Sequence, residues 1–207
     1  MKRGLLGLWA SVVFFAATAF ANDMAPDVLV RSVTGEVLDI VRKDKDIQSG
    51  NTKKSIELVD AKVLPHFNFK RMTQLALGRE ARKATPEQLA ILTEEFKTLL
   101  VRTYAKALTE FRNQEMVFKP FKMAAADTDV KVRTEIRQSG GKPVPMDYYL
   151  EKSSSSWKVY DMEVGGVSLV TNYRSSFAQE IRANGIDGLI RSLQAKNKSG
   201  EAAPKAK

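Results

Sequence analysis

The stretch Trp157 to Leu193, WKVYDMEVGGVSLVTNYRSSFAQEIRANGIDGLIRSL, decides the fold. Trp157 to Val164 has the composition of a strand, large and β-branched residues with charges between them. Gly165-Gly166 interrupts it as a tight strand-to-helix bend. Beyond the glycines the period changes: Leu169 or Val170, Tyr173, Phe177 and Ile181 recur every three to four residues, on one face of a helix. Gly185 is its C-terminal stop, and Ile186, Leu189, Ile190 and Leu193 form one more short amphipathic helix. A strand that hands directly to two one-sided helices needs a concave apolar surface for both.

The chain before this stretch supplies that surface. Val130, Val132, Thr134 and Ile136 alternate with Lys131, Arg133, Glu135 and Arg137, and Val144, Met146, Tyr148 and Leu150 alternate with charged residues past the turn Ser139-Gly140-Gly141. With Met116 and Phe118 ahead of them, they make an antiparallel meander of about four strands. Thr85-Pro86-Glu87-Gln88 has the form of a capping box with Pro at the first helical position. A long helix starts there, and Leu89, Leu92, Phe96, Leu99, Leu100, Thr103, Tyr104, Ala107 and Phe111 form its face. Earlier helices run from Asp27 to Lys45, from a cap at Asn51 or Thr52 to a stop at Pro65, and from Phe67 to Leu77 with Gly78 as stop. The fold class is α+β: a curved antiparallel sheet with helices packed on one face.

Residues 1–21 match a secretory signal peptide: basic Lys2-Arg3, an apolar run from Leu5 to Phe15, and the small-residue site Ala19-Phe20-Ala21. The run falls short of the ~20 residues that span a bilayer. Residues 22–193 then form one α+β domain, and the Lys-, Ala- and Ser-rich tail 194–207 is read as disordered. Asn197-Lys-Ser199 matches a glycosylation sequon, a pattern common by chance in such tails. With no cysteine, the exported chain has neither disulfide nor lipidated thiol. The formal charge is +9; the signal carries two of the positives and the tail four lysines against Glu201, so the folded body is only mildly basic. Export and a mild charge argue against nucleic acid and for anionic headgroups or acidic protein surfaces.

Catalytic chemistry finds little material. His66 is the only histidine, so a metal site or a serine nucleophile with an imidazole base lacks ligands and partners. Asp161 and Glu163 alternate along one strand and suit an acid/base pair, although a solvated strand face explains them more cheaply. What remains is apolar volume. Phe96, Leu99, Leu100, Tyr104, Phe118, Val132, Ile136, Met146, Tyr148, Leu150, Met162 and Leu169 point inward, and periodicity does not separate a filled core from one left open for an apolar ligand.

Four segments add a resemblance: Val63 to Gln88 (VLPHFNFKRMTQLALGREARKATPEQ), Glu95 to Leu108 (EFKTLLVRTYAKAL), Trp157 to Ile181 and Asn184 to Leu193. With Y-D-x-x-x-x-G-V-S at Tyr160 to Ser168 and G-x-D-G-L at Gly185 to Leu189, the chain resembles the MlaC family, also known as the toluene-tolerance family. The likeness covers Asp27 to Leu193, with one departure: Ala81 stands in LGREAR where many members carry an aromatic.

The resemblance implies a fold related to NTF2-like proteins, a periplasmic location and no enzymatic activity. It implies no cofactor but a phospholipid cargo, its acyl chains in an apolar pocket lined by the inward residues above together with Leu75, Leu92 and Val167. The implied partners are MlaD of an inner-membrane ABC transporter and an MlaA-porin complex of the outer membrane, contacted transiently and without embedding in the membrane. Lys97, Arg102 and Arg174 are then candidates for the headgroup or for acidic partner surfaces, with a solvated helix face as the plainer reading. Gly78, Gly165 and Gly166 are candidate hinges. The rivals are an exported NTF2-like enzyme for a small apolar substrate, with Asp161 in its pocket, and an adhesion or scaffold module with no pocket.

Overall fold

The computed structural model describes residues 24–154 and 156–199. The signal segment and the end of the tail lie outside the described residues.

Five strands form one antiparallel sheet in sequential order: β1 Glu115–Phe118, β2 Asp129–Arg137, β3 Val144–Lys152, β4 Trp157–Val164 and β5 Val167–Ser168. The strand beyond the expected four is β5. Val164 pairs with Val167, so Gly165-Gly166 is the two-residue turn of a hairpin and not a bend into a helix. Both glycines have positive φ, 61° and 84°, the values that two-residue hairpins favour and side chains resist. A helical period starting at Leu169 masks this hairpin in the sequence.

A bulge shapes β4. Tyr149 pairs with Asp161 but Leu150 with Val159, leaving Tyr160 as the extra residue. Trp157 and Val159 therefore face the apolar interior before the bulge and Met162 after it. Strict alternation cannot put all three on one side.

The helices are α1 Pro26–Lys43, α2 Lys45–Gln48, α3 Thr52–Lys62, α4 Phe69–Leu77, α5 Pro86–Thr109 and α6 Arg174–Ser199. Asn51 caps α3 and Asn68 caps α4 through their side-chain carbonyls. The capping box of α5 is complete: Gln88 N–H donates to the Thr85 hydroxyl (3.2 Å) and Thr85 N–H to the Gln88 side chain (3.0 Å). At 24 residues α5 is roughly 36 Å long, enough to cross the domain. It ends before Phe111, which instead joins the α1 and α3 side. Gly185, with φ of 71°, kinks α6 where a helix stop is expected.

The tail needs correction. Helix α6 continues past residue 194 to Ser199, and the buried Asn197 donates to the Glu95 carbonyl (2.9 Å) and carboxylate (2.7 Å). The sequon asparagine is thus part of the packed fold. Gln, Ala and Lys are good helix formers, and one tertiary anchor suffices to extend the helix.

Three apolar clusters hold the elements together. The first half of α1, through Leu29 and Val30, covers the sheet at Val130, Val132, Leu150, Trp157 and Val159. Its second half packs on Ile47, Leu58 and Phe111. The third cluster joins α4, α5 and α6 around Leu92, Phe96 and Leu99, whose burial stabilises the fold by about 2 kcal/mol each.

Replacing Thr85 by Ala removes the hydroxyl acceptor at the head of α5. We expect a loss of about 1 kcal/mol in urea denaturation at unchanged m-value.

Candidate functional site

The inward residues of the sequence fall into two groups. Leu92, Phe96, Leu99 and Leu100, with half-buried Leu75 and Tyr104, belong to the helical cluster. Val132, Tyr148 and Leu150, with half-buried Phe118, Met146 and Met162, belong to the cluster between sheet and α1. Ile136, Val167 and Leu169 are half-buried and outside both. One residue belongs to both groups: Phe67, just ahead of α4, packs against each cluster. It bridges to Val159 of β4, and Asn68 N–H donates to the Val159 carbonyl at 2.8 Å. Sequence reading omits Phe67, Trp157 and Val159 from the site. Phe67 lies in a loop with no periodicity to mark it, and the bulge hides the other two.

A groove of about 510 Å³ opens elsewhere, on the outer side of the helical layer between α4 and the start of α5. Lys70, Gln74, Thr85 and Leu89 help line it, and none of the expected pocket residues does.

Among the described residues Asp161 is the one buried charged side chain, 7% exposed. The expectation of a solvated strand face is therefore overturned at this position. Its carboxylate accepts from the Ser168 hydroxyl (2.6 Å), from its neighbour Met162 N–H (2.8 Å) and from Val170 N–H (3.3 Å). The Ser168 oxygen accepts in turn from Val170 N–H (3.2 Å) and Thr171 N–H (2.9 Å). This network ties β4 to the short turn Thr171–Tyr173 that launches α6. The G-V-S glycine and serine thus act together, one making the hairpin and the other pinning the turn beyond it. Glu163 has a different environment: it accepts from the Tyr149 hydroxyl (2.6 Å) and the Lys131 ammonium (3.2 Å), which hold its carboxyl below the usual range. The two acids do not form a pair.

The basic candidates are scattered. Lys97 pairs with Glu94 on its own helix, and Arg102 is exposed on α5. Arg174 donates from two guanidinium nitrogens to the Leu75 carbonyl (3.1 and 2.9 Å), closing the C-terminus of α4. Its stem lies 3.4 Å from where a Cβ at Gly78 would sit, and Gly78 has φ of 57°. The positive φ favours glycine at that junction, while the Arg174 contact alone would admit a side chain.

His66 is partly buried, which together with Lys158 lowers its pKa. Among the described residues no group of three or more His, Cys, Asp or Glu could hold a metal ion, and no helix is long and apolar enough to cross a membrane.

Residues 31–195 match the family model described as MlaC protein. The chain belongs to the MlaC family. Among MlaC relatives, the toluene tolerance protein ttg2D of Pseudomonas putida is 28% identical over 190 residues, covering 90% of this chain and 85% of its own. The intermembrane phospholipid transport system binding protein MlaC of Haemophilus influenzae is 26% identical over 197 residues, covering 90% and 91%. A phospholipid-binding protein from Ralstonia solanacearum, solved in complex with a phospholipid, is 42% identical with a TM-score of 0.78, covering 86% of this chain and 98% of that one.

Burial raises the Asp161 carboxyl above its ordinary 3.8, against the pull of its three donors. A folded-state pKa above the unfolded one means that this group favours folding when protonated, a contribution lost as pH rises through the folded value. Asp161→Asn cannot ionise. Its stability relative to wild type, by urea denaturation, should therefore improve as pH rises from about 3 to 7; a constant difference contradicts the assignment.

Proposed function

We propose that this protein carries glycerophospholipid through the periplasm, with the acyl chains held between the sheet cluster and the helical cluster. The observation that carries the reading is the phospholipid complex of the Ralstonia protein, which shares this fold at 42% identity over almost its whole length. The two apolar groups meeting at Phe67 supply the matching chemistry here. Hiding acyl chains from water is worth on the order of 0.8 kcal/mol per methylene, so tens of methylenes repay the parting of two side-chain clusters.

Membership of the MlaC family supports the route. Lipid passes between an outer-membrane MlaA-porin complex and MlaD of an inner-membrane ABC transporter, which maintains the asymmetry of the outer membrane. The chemistry is transfer without covalent change. Asp161, the residue an enzymatic reading needs, is engaged by three donors in fastening the chain. Loading and release require sheet and helices to separate, with the Gly165-Gly166 hairpin and the Gly78 junction as the places where the backbone pivots. Arg102, exposed on α5, is available to meet an acidic partner surface.

Native mass spectrometry of the protein purified without detergent should find about one phospholipid per chain, as expected of a site that buries most of its ligand. The loaded protein should deliver that lipid to acceptor vesicles, and an engineered disulfide tying α4 to β4, across the two clusters, should stop delivery. Protein that is lipid-free when purified and takes up none from vesicles overturns the reading.

A further inference from the structure

Tyr173 sits in the turn that launches α6, and its ring belongs to the helical cluster. The ring meets Phe96 edge-on at 5.1 Å and Phe177 at 5.6 Å between centroids. A phenylalanine would fill the same space. The hydroxyl needs another explanation: Tyr173 is 7% exposed, and its oxygen is buried with no hydrogen-bond partner among the described residues. Leaving a buried hydroxyl unpaired costs folding about 1–3 kcal/mol.

Its polar neighbours do not satisfy it. Thr103 and the half-buried Tyr104 lie beside it, near enough for their hydroxyls to act on its titration, yet neither completes a hydrogen bond to its oxygen. The Thr103 hydroxyl donates to the Leu99 carbonyl at 2.7 Å. Burial raises the pKa of both tyrosines, so both remain neutral donors at any physiological pH. The rings and aliphatic chains around Tyr173 carry no charge. A phosphate brought here would be desolvated without a cation, since the guanidinium of nearby Arg174 is engaged on the Leu75 carbonyl. A neutral acceptor attached to hydrocarbon suits the place.

We propose that the Tyr173 hydroxyl, with Tyr104 beside it, donates to an ester carbonyl oxygen of the bound glycerophospholipid. The site would then recognise the acyl-ester linkage as well as the chains. This deepens the carrier reading and rests on it: the carbonyl lies where the acyl chains join the glycerol, and Tyr173 is a member of the apolar cluster against which they would lie.

The test is a competition. Lipid-stripped protein is equilibrated with vesicles holding equal amounts of diester phosphatidylcholine and its diether analogue of the same chain length, which lacks the carbonyl oxygens, and bound lipids are counted by native mass spectrometry. Wild type should favour the diester by about fivefold, the worth of one hydrogen bond. Tyr173→Phe should bring the ratio close to one while still binding lipid, and the lipid-free variant should melt no lower than wild type. Equal binding of both lipids by wild type, or a variant that keeps the preference, overturns the proposal and leaves the carrier reading standing. Binding of neither lipid overturns both. Should the variant fail to fold, the wild-type ratio decides alone.

Discussion

The grip of the Asp161 carboxylate on the Ser168 hydroxyl and the Val170 N–H fixes where the chain leaves the sheet. From that point the direction of α6 is determined, and so is the side of α5 on which Phe177, Ile181 and Leu189 land. Without it, the β5 pairing and the Leu169 N–H on the Met162 carbonyl (2.8 Å) would still register the hairpin against β4, but no side chain of β4 would hold the Val170 N–H ahead of α6. Burying a carboxylate is costly, and here the return is position: three donors converge within nine residues, and two of them are backbone groups that only a proline would remove.

The interior is built in blocks. One belongs to the sheet and α1, one to α1 with α2 and α3, and one to the three later helices. Within each block the packing is that of any core. Between the first and last the apolar link is narrow, Phe67 together with the Val159 bridge, flanked by polar ties from Asn68 and Arg71 to Glu151 and Asp129 and from Asp161 to the chain ahead of α6. Two well-packed blocks joined by a narrow seam can part without either unfolding, as a carrier of hydrocarbon requires.

Much of this is legible in the sequence, because the signals are local. The capping box at Thr85, the alternation from Val130 to Ile136 and the stop at Gly78 each need only a few neighbouring residues, and each stands in the structure. The tertiary features are not. The bulge at Tyr160 shifts the phase of β4 by one residue, which strict alternation cannot foresee. The hairpin at Gly165-Gly166 does carry a turn signal, two glycines between valines, but the helical period beyond them competes for the same residues. The helix beyond residue 194 depends on Asn197 finding Glu95, 102 positions away. As for the candidate site, the burial of Leu92, Phe96, Leu99, Val132 and Leu150 can be read off the periodicity, whereas Phe67, Trp157 and Val159 escape it. The division of the apolar members into two blocks cannot be read there, nor can the partners that engage Arg174 and Glu163.

A carrier built this way takes hydrocarbon in along the seam between those blocks. A crystal structure of the phospholipid-loaded protein tests this most directly. It should show acyl chains running between the side chains of the sheet cluster and those of the helical cluster, with Phe67 displaced from one of them. Acyl chains lying in the outer groove beside Lys70 and Leu89, over an interior still closed at Phe67, would contradict it.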